Sequence, residues 1–163
     1  FGGFFKEQDI KAPTGIQTKI IPEILNEKSV ICVAQTGTGK TLAYALPIVE
    51  LIKRQEDELG PSKRKGKPMS IIVAPTKELA VQIHMVFKQI SHFLRLRVRT
   101  IVGQKSKSHE LSSQSFEILI ATPHKLGQAL RKGDINTEDL KYLIFDEADQ
   151  LFDMGFKLSL IHI

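Results

Sequence analysis

Apolar positions along this chain change period repeatedly, and each change marks an expected element. From Pro13 to about Leu25, Ile16, Ile20, Ile21, Ile24 and Leu25 recur at helical spacing, with Thr14 near the start and Pro22 inside or bending the helix. Ser29 to Val33 is a short apolar run that reads as a strand. A glycine-containing stretch follows, then a helical pattern from Leu42 to about Arg54 with Pro47 as a kink. Residues 55–69 join an acidic block, Glu56-Asp57-Glu58, to a basic one, Lys63-Arg64-Lys65, around Gly60, Pro61, Gly66 and Pro68. Such a stretch is expected to be a mobile surface loop, with nucleic-acid contact by its basic cluster as the second reading.

Further along, Met69 to Ala74 is continuously apolar, as in a parallel strand covered on both faces. Leu79, Ile83, Val86, Phe87, Ile90 and Leu94 form a helical stripe, with Thr76 placed to cap it and Glu78 near its positive end. Leu96 to Val102 alternates as a strand, and the polar residues 104–115 suit a short helix or loop. Phe116 to Ala121 is a further strand, followed by a helix to about Arg131, a Gly133-Asp134 turn and a last strand from Leu140 to Phe145. Strands alternating with helices predict an α/β fold, an open and mostly parallel sheet with helices on both faces. Four strand ends, at 34–41, Pro75-Thr76, Thr122-Pro123 and Asp146-Glu147, are then expected on the one rim where such sheets bind ligands.

The 163 residues are the size of one domain, and 42% hydrophobic with 25% charged is a globular composition. No apolar run nears the roughly 20 residues that cross a bilayer, and Phe1 to Phe5 lacks the features of a signal peptide. Membrane association is therefore not expected. Cys32 is the single cysteine, expected as a small buried hydrophobe in an intracellular, reducing compartment. The net charge of +5 is compatible with a polyanionic partner. His84 and His92 read as helix-surface residues, and no Cys, His and carboxylate cluster has metal-ligand spacing.

Chemistry concentrates first at Ala34-Gln35-Thr36-Gly37-Thr38-Gly39-Lys40-Thr41. A strand, a glycine turn and a helix start form the setting of a phosphate-binding loop, in which successive backbone N–H groups of Gln35, Thr36, Gly37, Thr38 and Gly39 line a concavity for a polyphosphate. Lys40 would reach the terminal phosphates and the Thr41 hydroxyl would ligate magnesium. The second concentration is Asp146-Glu147-Ala148-Asp149 after the last strand. Asp146 is placed to hold magnesium, partly through water, and Glu147 to orient and deprotonate an attacking water. The alternatives, a bare glycine turn and a carboxylate cap, leave the coincidence of the two motifs unexplained.

With those residues in place, the chain resembles the first RecA-like domain of a DEAD-box RNA helicase, from about Ile10 to Phe156. AQTGTGKT at 34–41 and DEAD at 146–149 match that family's motifs I and II, and Pro13, Thr14 and Gln17 match its Q motif. The resemblance implies ATP and magnesium as cofactors, Thr14 and Gln17 as nucleotide-binding residues with Gln17 reading the adenine edge, and Asp149 as a coupling residue between domains. It also implies RNA as a partner, held by its sugar-phosphate backbone without sequence preference. Pro75, Thr76, Lys77, Gly103, Thr122, Pro123 and Lys125 fall on the family's RNA-gripping motifs. This chain departs there at Lys77 and Lys125, where arginine is usual, and at Gln104 and His124, where glycine is usual.

The implied activity is RNA-dependent ATP hydrolysis coupled to local duplex unwinding, in a monomer with a second RecA-like domain. An ATP-gated RNA clamp with little unwinding is the alternative, and a DNA translocase is disfavoured by Gln17 and the DEAD tetrapeptide. The family's second domain, its arginine finger and its Ser-Ala-Thr motif have no counterpart in these residues. Because the strand before Ser-Ala-Thr lies between the phosphate-loop strand and the DEAD strand in the family, residues 1–163 are expected to form an incomplete, weakly active and poorly stable domain.

Overall fold

The computed structural model describes residues 5–6, 11–35, 37–60, 65–103 and 108–154. The chain divides into two compact units, one formed by residues 1–60 and 86–95 and the other by residues 61–85 and 96–163.

In the first unit, α1 (Gly15–Leu25) packs against α2 (Lys40–Leu59). Thr14 starts α1 with a capping box: its hydroxyl accepts from the Gln17 N–H at 3.4 Å, and the Gln17 side-chain carbonyl accepts from the Thr14 N–H at 3.0 Å. The start of α2 is Gly39 at φ 86°, a left-handed position suited to glycine. Its apolar face, including Ala45, Val49 and Ile52, is fully buried, and the Tyr44 ring lies 6.1 Å from that of Phe87. The helix continues through Pro47 and five residues beyond Arg54, to Leu59. Part of the expected loop is thus helical. Lys53 reaches Asp57 at 3.2 Å and Arg54 reaches Glu50 at 2.9 Å, pairs one turn apart that extend the helix into the acidic block.

Residues 29–33 correct the sequence expectation more sharply. They form no strand, and Ile31 and Val33 are 95% and 93% exposed. The apolar pattern supplies strand propensity, but among the described residues no neighbouring strand satisfies the backbone of this run. Cys32 is exposed with it rather than buried.

The second unit is built on a four-stranded parallel sheet of β1 (Ser70–Val73), β2 (Val98–Ile101), β3 (Ile118–Ala121) and β4 (Tyr142–Phe145), in the order β2-β3-β1-β4. The register sets Val73 beside Ala121 and Phe145, and Ala121 beside Ile101, so all four strands end level. One face carries Ile71, Val73, Leu119 and Ala121, packed with Leu126 and Ala129 of α4 (Pro123–Arg131) and Leu151 of α5 (Ala148–Asp153). On the opposite face, His84 Nδ1 of α3 (Lys77–Leu94) is 2.7 Å from the Thr100 hydroxyl of β2. Helices therefore serve both faces. Continuous burial of β1 and β3 explains their unbroken apolar sequences.

The start of β3 is tied to β2 by Glu117, which is 1% exposed. Its carboxylate accepts from the Arg97 N–H at 2.7 Å and from the Arg97 guanidinium, while the Arg97 carbonyl accepts from the Glu117 and Ile118 N–H groups. Residues 65–69, expected within the mobile loop, are instead held. Gly66 donates to the Gln114 carbonyl at 2.9 Å and accepts from the Asn136 N–H at 2.8 Å, and Pro68 and Met69 are buried. At φ 66° and with a Cβ position 3.0 Å from the Asp134 carbonyl, the site requires glycine. The basic residues Lys63 and Arg64 lie outside the described residues, as do Phe1, Phe4 and Ile10. A 3-10 helix at Ser108–Ser113 occupies part of the polar stretch after Gly103.

Candidate functional site

The nucleotide half lies in the first unit. Here α1 presents its N-terminus to the phosphate loop: the Thr14 hydroxyl donates to the Thr38 carbonyl at 3.0 Å, and the Gln17 amide donates to the Gly39 carbonyl at 3.2 Å. Two side chains of the helix start thereby fix the carbonyls of two consecutive loop residues, Thr38 and Gly39. Gln17 is 5% exposed, and its amide spans the cap of α1 and the loop at once. A Cβ on Gly39 would stand 2.5 Å from that amide nitrogen, whereas one on Gly37 meets nothing within 4 Å. Both glycines have positive φ, 79° and 86°. The Thr38 hydroxyl closes a turn on the Gln35 carbonyl at 2.8 Å, and Lys40 Nζ donates to the Ala34 carbonyl at 2.5 Å. Thr41 follows in the first turn of α2, and Thr36 lies outside the described residues.

This loop does not follow a strand, so it is not one of four strand ends on a common rim, as the sequence suggested. Three of the expected ends, in the second unit, do share a rim. After β4, Asp146 is buried, its N–H donates to the Val73 carbonyl at 3.0 Å, and its carboxylate accepts from the Glu147 N–H at 3.0 Å. Glu147 sits at φ 50°, ψ 54°, a left-handed conformation costing a non-glycine residue about 1–2 kcal/mol. It caps α5 through its backbone without a side-chain capping bond, so the capping reading does not account for its carboxylate. Asp149 is exposed in the first turn of α5.

After β1, Pro75 is buried and Thr76 caps α3, its hydroxyl accepting from the Leu79 N–H at 3.2 Å. Lys77 is exposed and its stem runs alongside Gly103, where a Cβ would be 3.9 Å from Lys77 Cε. The structure thus brings together two residues 26 positions apart that the sequence assigned to one nucleic-acid track. After β3, Thr122 begins α4 in extended geometry with Pro123 at the first helical position, yet its hydroxyl makes no capping bond. The expected side-chain cap is thus made by Thr76, while Thr122 makes none. Lys125 bonds Gln128, and Gln128 bonds His124, a network that the sequence reading missed. The i, i+3 and i, i+4 spacings are the signal that would have found it. Gln104 lies outside the described residues.

A family model described as DEAD/DEAH box helicase matches residues 14–163. The chain belongs to this family. DEAD-box ATP-dependent RNA helicase 39 of Arabidopsis thaliana is 38% identical over 156 residues, covering 94% of this chain and 25% of its own length. Among solved structures, the RNA-helicase Prp28 from Chaetomium thermophilum bound to ADP superposes with a TM-score of 0.84 at 32% identity, over 99% of this chain and 39% of that one. A hypothetical ATP-dependent RNA helicase from Sulfolobus tokodaii gives 0.82 at 32% identity, over 98% and 44%. The chain thus spans about a quarter of the curated helicase and about two fifths of the solved ones. The open parallel sheet with helices is the RecA-like helicase fold. Among the described residues no helix is long and apolar enough to cross a membrane.

Proposed function

We propose that this chain is the first RecA-like domain of an RNA-dependent ATPase that uses ATP and magnesium to bind RNA by its backbone and separate short duplexes, acting as a monomer with a second RecA-like domain. The observation that carries the reading is the double tether of the phosphate loop by Thr14 and Gln17, which makes the loop's shape depend on the element assigned to adenine recognition. Gln17 retains an unused amide hydrogen and a second carbonyl lone pair, the pair of groups that adenine N7 and N6 would engage. Adenine binding and loop geometry then act through one side chain.

Hard oxygens of Thr41 and Asp146 suit magnesium, which is held in such sites by few protein groups together with substrate phosphates. When bound, magnesium would neutralise charge building between the β- and γ-phosphates. Lys40 would exchange its contact with the Ala34 carbonyl for the phosphates, and Glu147 would accept the proton of the attacking water. Lys77 beside Gly103, with Thr122 and Lys125 on the same rim, would line the RNA track.

Steady-state ATP turnover of the intact protein, with and without a generic RNA, tests the reading. RNA-stimulated turnover that falls by about 10²-fold or more in Glu147→Gln supports it. RNA-independent turnover, or a Glu147→Gln variant as fast as wild type, would sink it.

A further inference from the structure

Lysine at 125 is a poorer phosphate ligand than a planar guanidinium because its ammonium is a point charge on a flexible stem. In this structure that flexibility is curtailed. Lys125 Nζ donates to Gln128 Oε1 at 3.3 Å, and Gln128 Nε2 lies 3.0 Å from His124 Nε2. The donor–acceptor order of this chain of contacts is forced from one end. An ammonium has only N–H donors, so the amide must show it the oxygen; the amide NH2 then faces the imidazole, whose Nε2 must accept and whose proton sits on Nδ1. A flipped amide would set NH2 against NH3⁺ and lose the lysine bond, leaving only a bond from an Nε2–H imidazole to the amide oxygen. One donor of Lys125 is thereby used and two are left for an anion.

We propose that Gln128 is a positioning residue for RNA: oriented by His124, it holds the Lys125 ammonium at the strand-end rim and supplies the direction that an arginine fork would carry by itself. The inference rests on the RNA-binding reading of that rim. It accounts for two departures from the family pattern at once, since His124 and Lys125 occur together and meet through one amide. His124 is exposed and makes its contact on the outer face of α4, while Leu126 and Ala129 of the same helix face the core. The network is therefore made apart from the Leu126 and Ala129 contacts that seat α4 on the core. What it fixes is the lysine.

The test is a set of RNA affinities for the intact protein with a single-stranded homopolymeric RNA and a nonhydrolysable ATP analogue, at two salt concentrations. Lys125→Ala is expected to weaken binding about fivefold and to lower the salt slope by about one. Gln128→Ala is expected to weaken binding by a comparable factor, and the double variant no further, because the two act as a unit. In a His124→Gly/Lys125→Arg background, Gln128→Ala is expected to change affinity by less than about twofold, since the guanidinium needs no external orientation. A Gln128→Ala variant that binds like wild type while Lys125→Ala is weakened overturns the inference and leaves the RNA reading intact. Equal weakening by Gln128→Ala in both backgrounds overturns it too, assigning Gln128 a role independent of Lys125. If Lys125→Ala itself binds RNA like wild type, the rim reading fails and the inference falls with it.

Discussion

The two apolar segments that precede the nucleotide motifs, residues 29–33 before the phosphate loop and β4 before Asp146, have similar sequences and different fates. Tyr142–Phe145 pairs with β1 through the whole register and delivers Asp146 to the rim. Val30, Ile31 and Val33 carry as much strand propensity, yet they stand exposed and outside any ladder. Propensity is thus insufficient by itself. A strand exists when a neighbour takes up its N–H and C=O groups, and β4 has one in β1. The phosphate loop nevertheless keeps its turns, because Thr14 and Gln17 hold it from a helix rather than from a sheet.

If the second unit owes its order to ladder formation, a marked vulnerability lies where two strands are joined by a buried charge. Arg97→Ala leaves the Glu117 carboxylate, 1% exposed, without its guanidinium, and this is expected to cost about 3 kcal/mol. Glu117→Gln is expected to cost less, because Arg97 is itself 45% exposed and water can take over its charge. Hydrogen exchange at the Glu117 and Ile118 amides, which both donate to the Arg97 carbonyl, reads the effect locally. Protection at those amides unchanged by Arg97→Ala would show that the strand ladder, not the ion pair, sets their stability.

The first unit is expected to fail at a different kind of point. Gly39→Ala combines a left-handed φ with a Cβ 2.5 Å from Gln17 Nε2, whereas Gly37→Ala meets only the backbone penalty of about 1–2 kcal/mol. ATP affinity should therefore fall further in Gly39→Ala than in Gly37→Ala, by about tenfold for each additional 1.4 kcal/mol. Adding Gln17→Ala should restore stability to Gly39→Ala, measured as the unfolding midpoint, and not to Gly37→Ala. Equal effects of the two glycine substitutions would mean that the Gln17 tether does not shape the loop.

Legibility in the sequence followed the same division. Four strands, the caps at Thr14 and Thr76, and the placement of Thr122, Asp146 and Glu147 at strand ends were readable because period, caps and motif order are local properties. Two misreadings came from judging a segment without its partners. Residues 29–33 carry a strand pattern but no ladder, and residues 65–69 look like loop until Gln114 and Asn136 supply hydrogen bonds from far along the chain. The acidic continuation of α2 was missed because Gly60 and Pro61 outweighed the Lys53–Asp57 pair. At the site, the Thr14 and Gln17 contacts to carbonyls 24 and 22 residues away are tertiary facts that no spacing contains.

The smallest expected effect probes the exposed run directly. At 95% exposure Ile31 makes almost no apolar contact, so Ile31→Asp in this 163-residue chain is expected to change unfolding free energy by less than about 0.5 kcal/mol. The same substitution at Ile71, fully buried on β1, serves as the contrast, since it sets a carboxylate into the core. In a longer chain whose added strand lies beside residues 29–33, burial of Ile31 would raise its cost to about 2–3 kcal/mol, the transfer energy of a large aliphatic side chain with the desolvation of the new carboxylate above it. Denaturant unfolding of both chains measures the difference. A cost of several kcal/mol already in the 163-residue chain would show that residues 29–33 are covered without any further strand, and the contrast between the two apolar segments would dissolve.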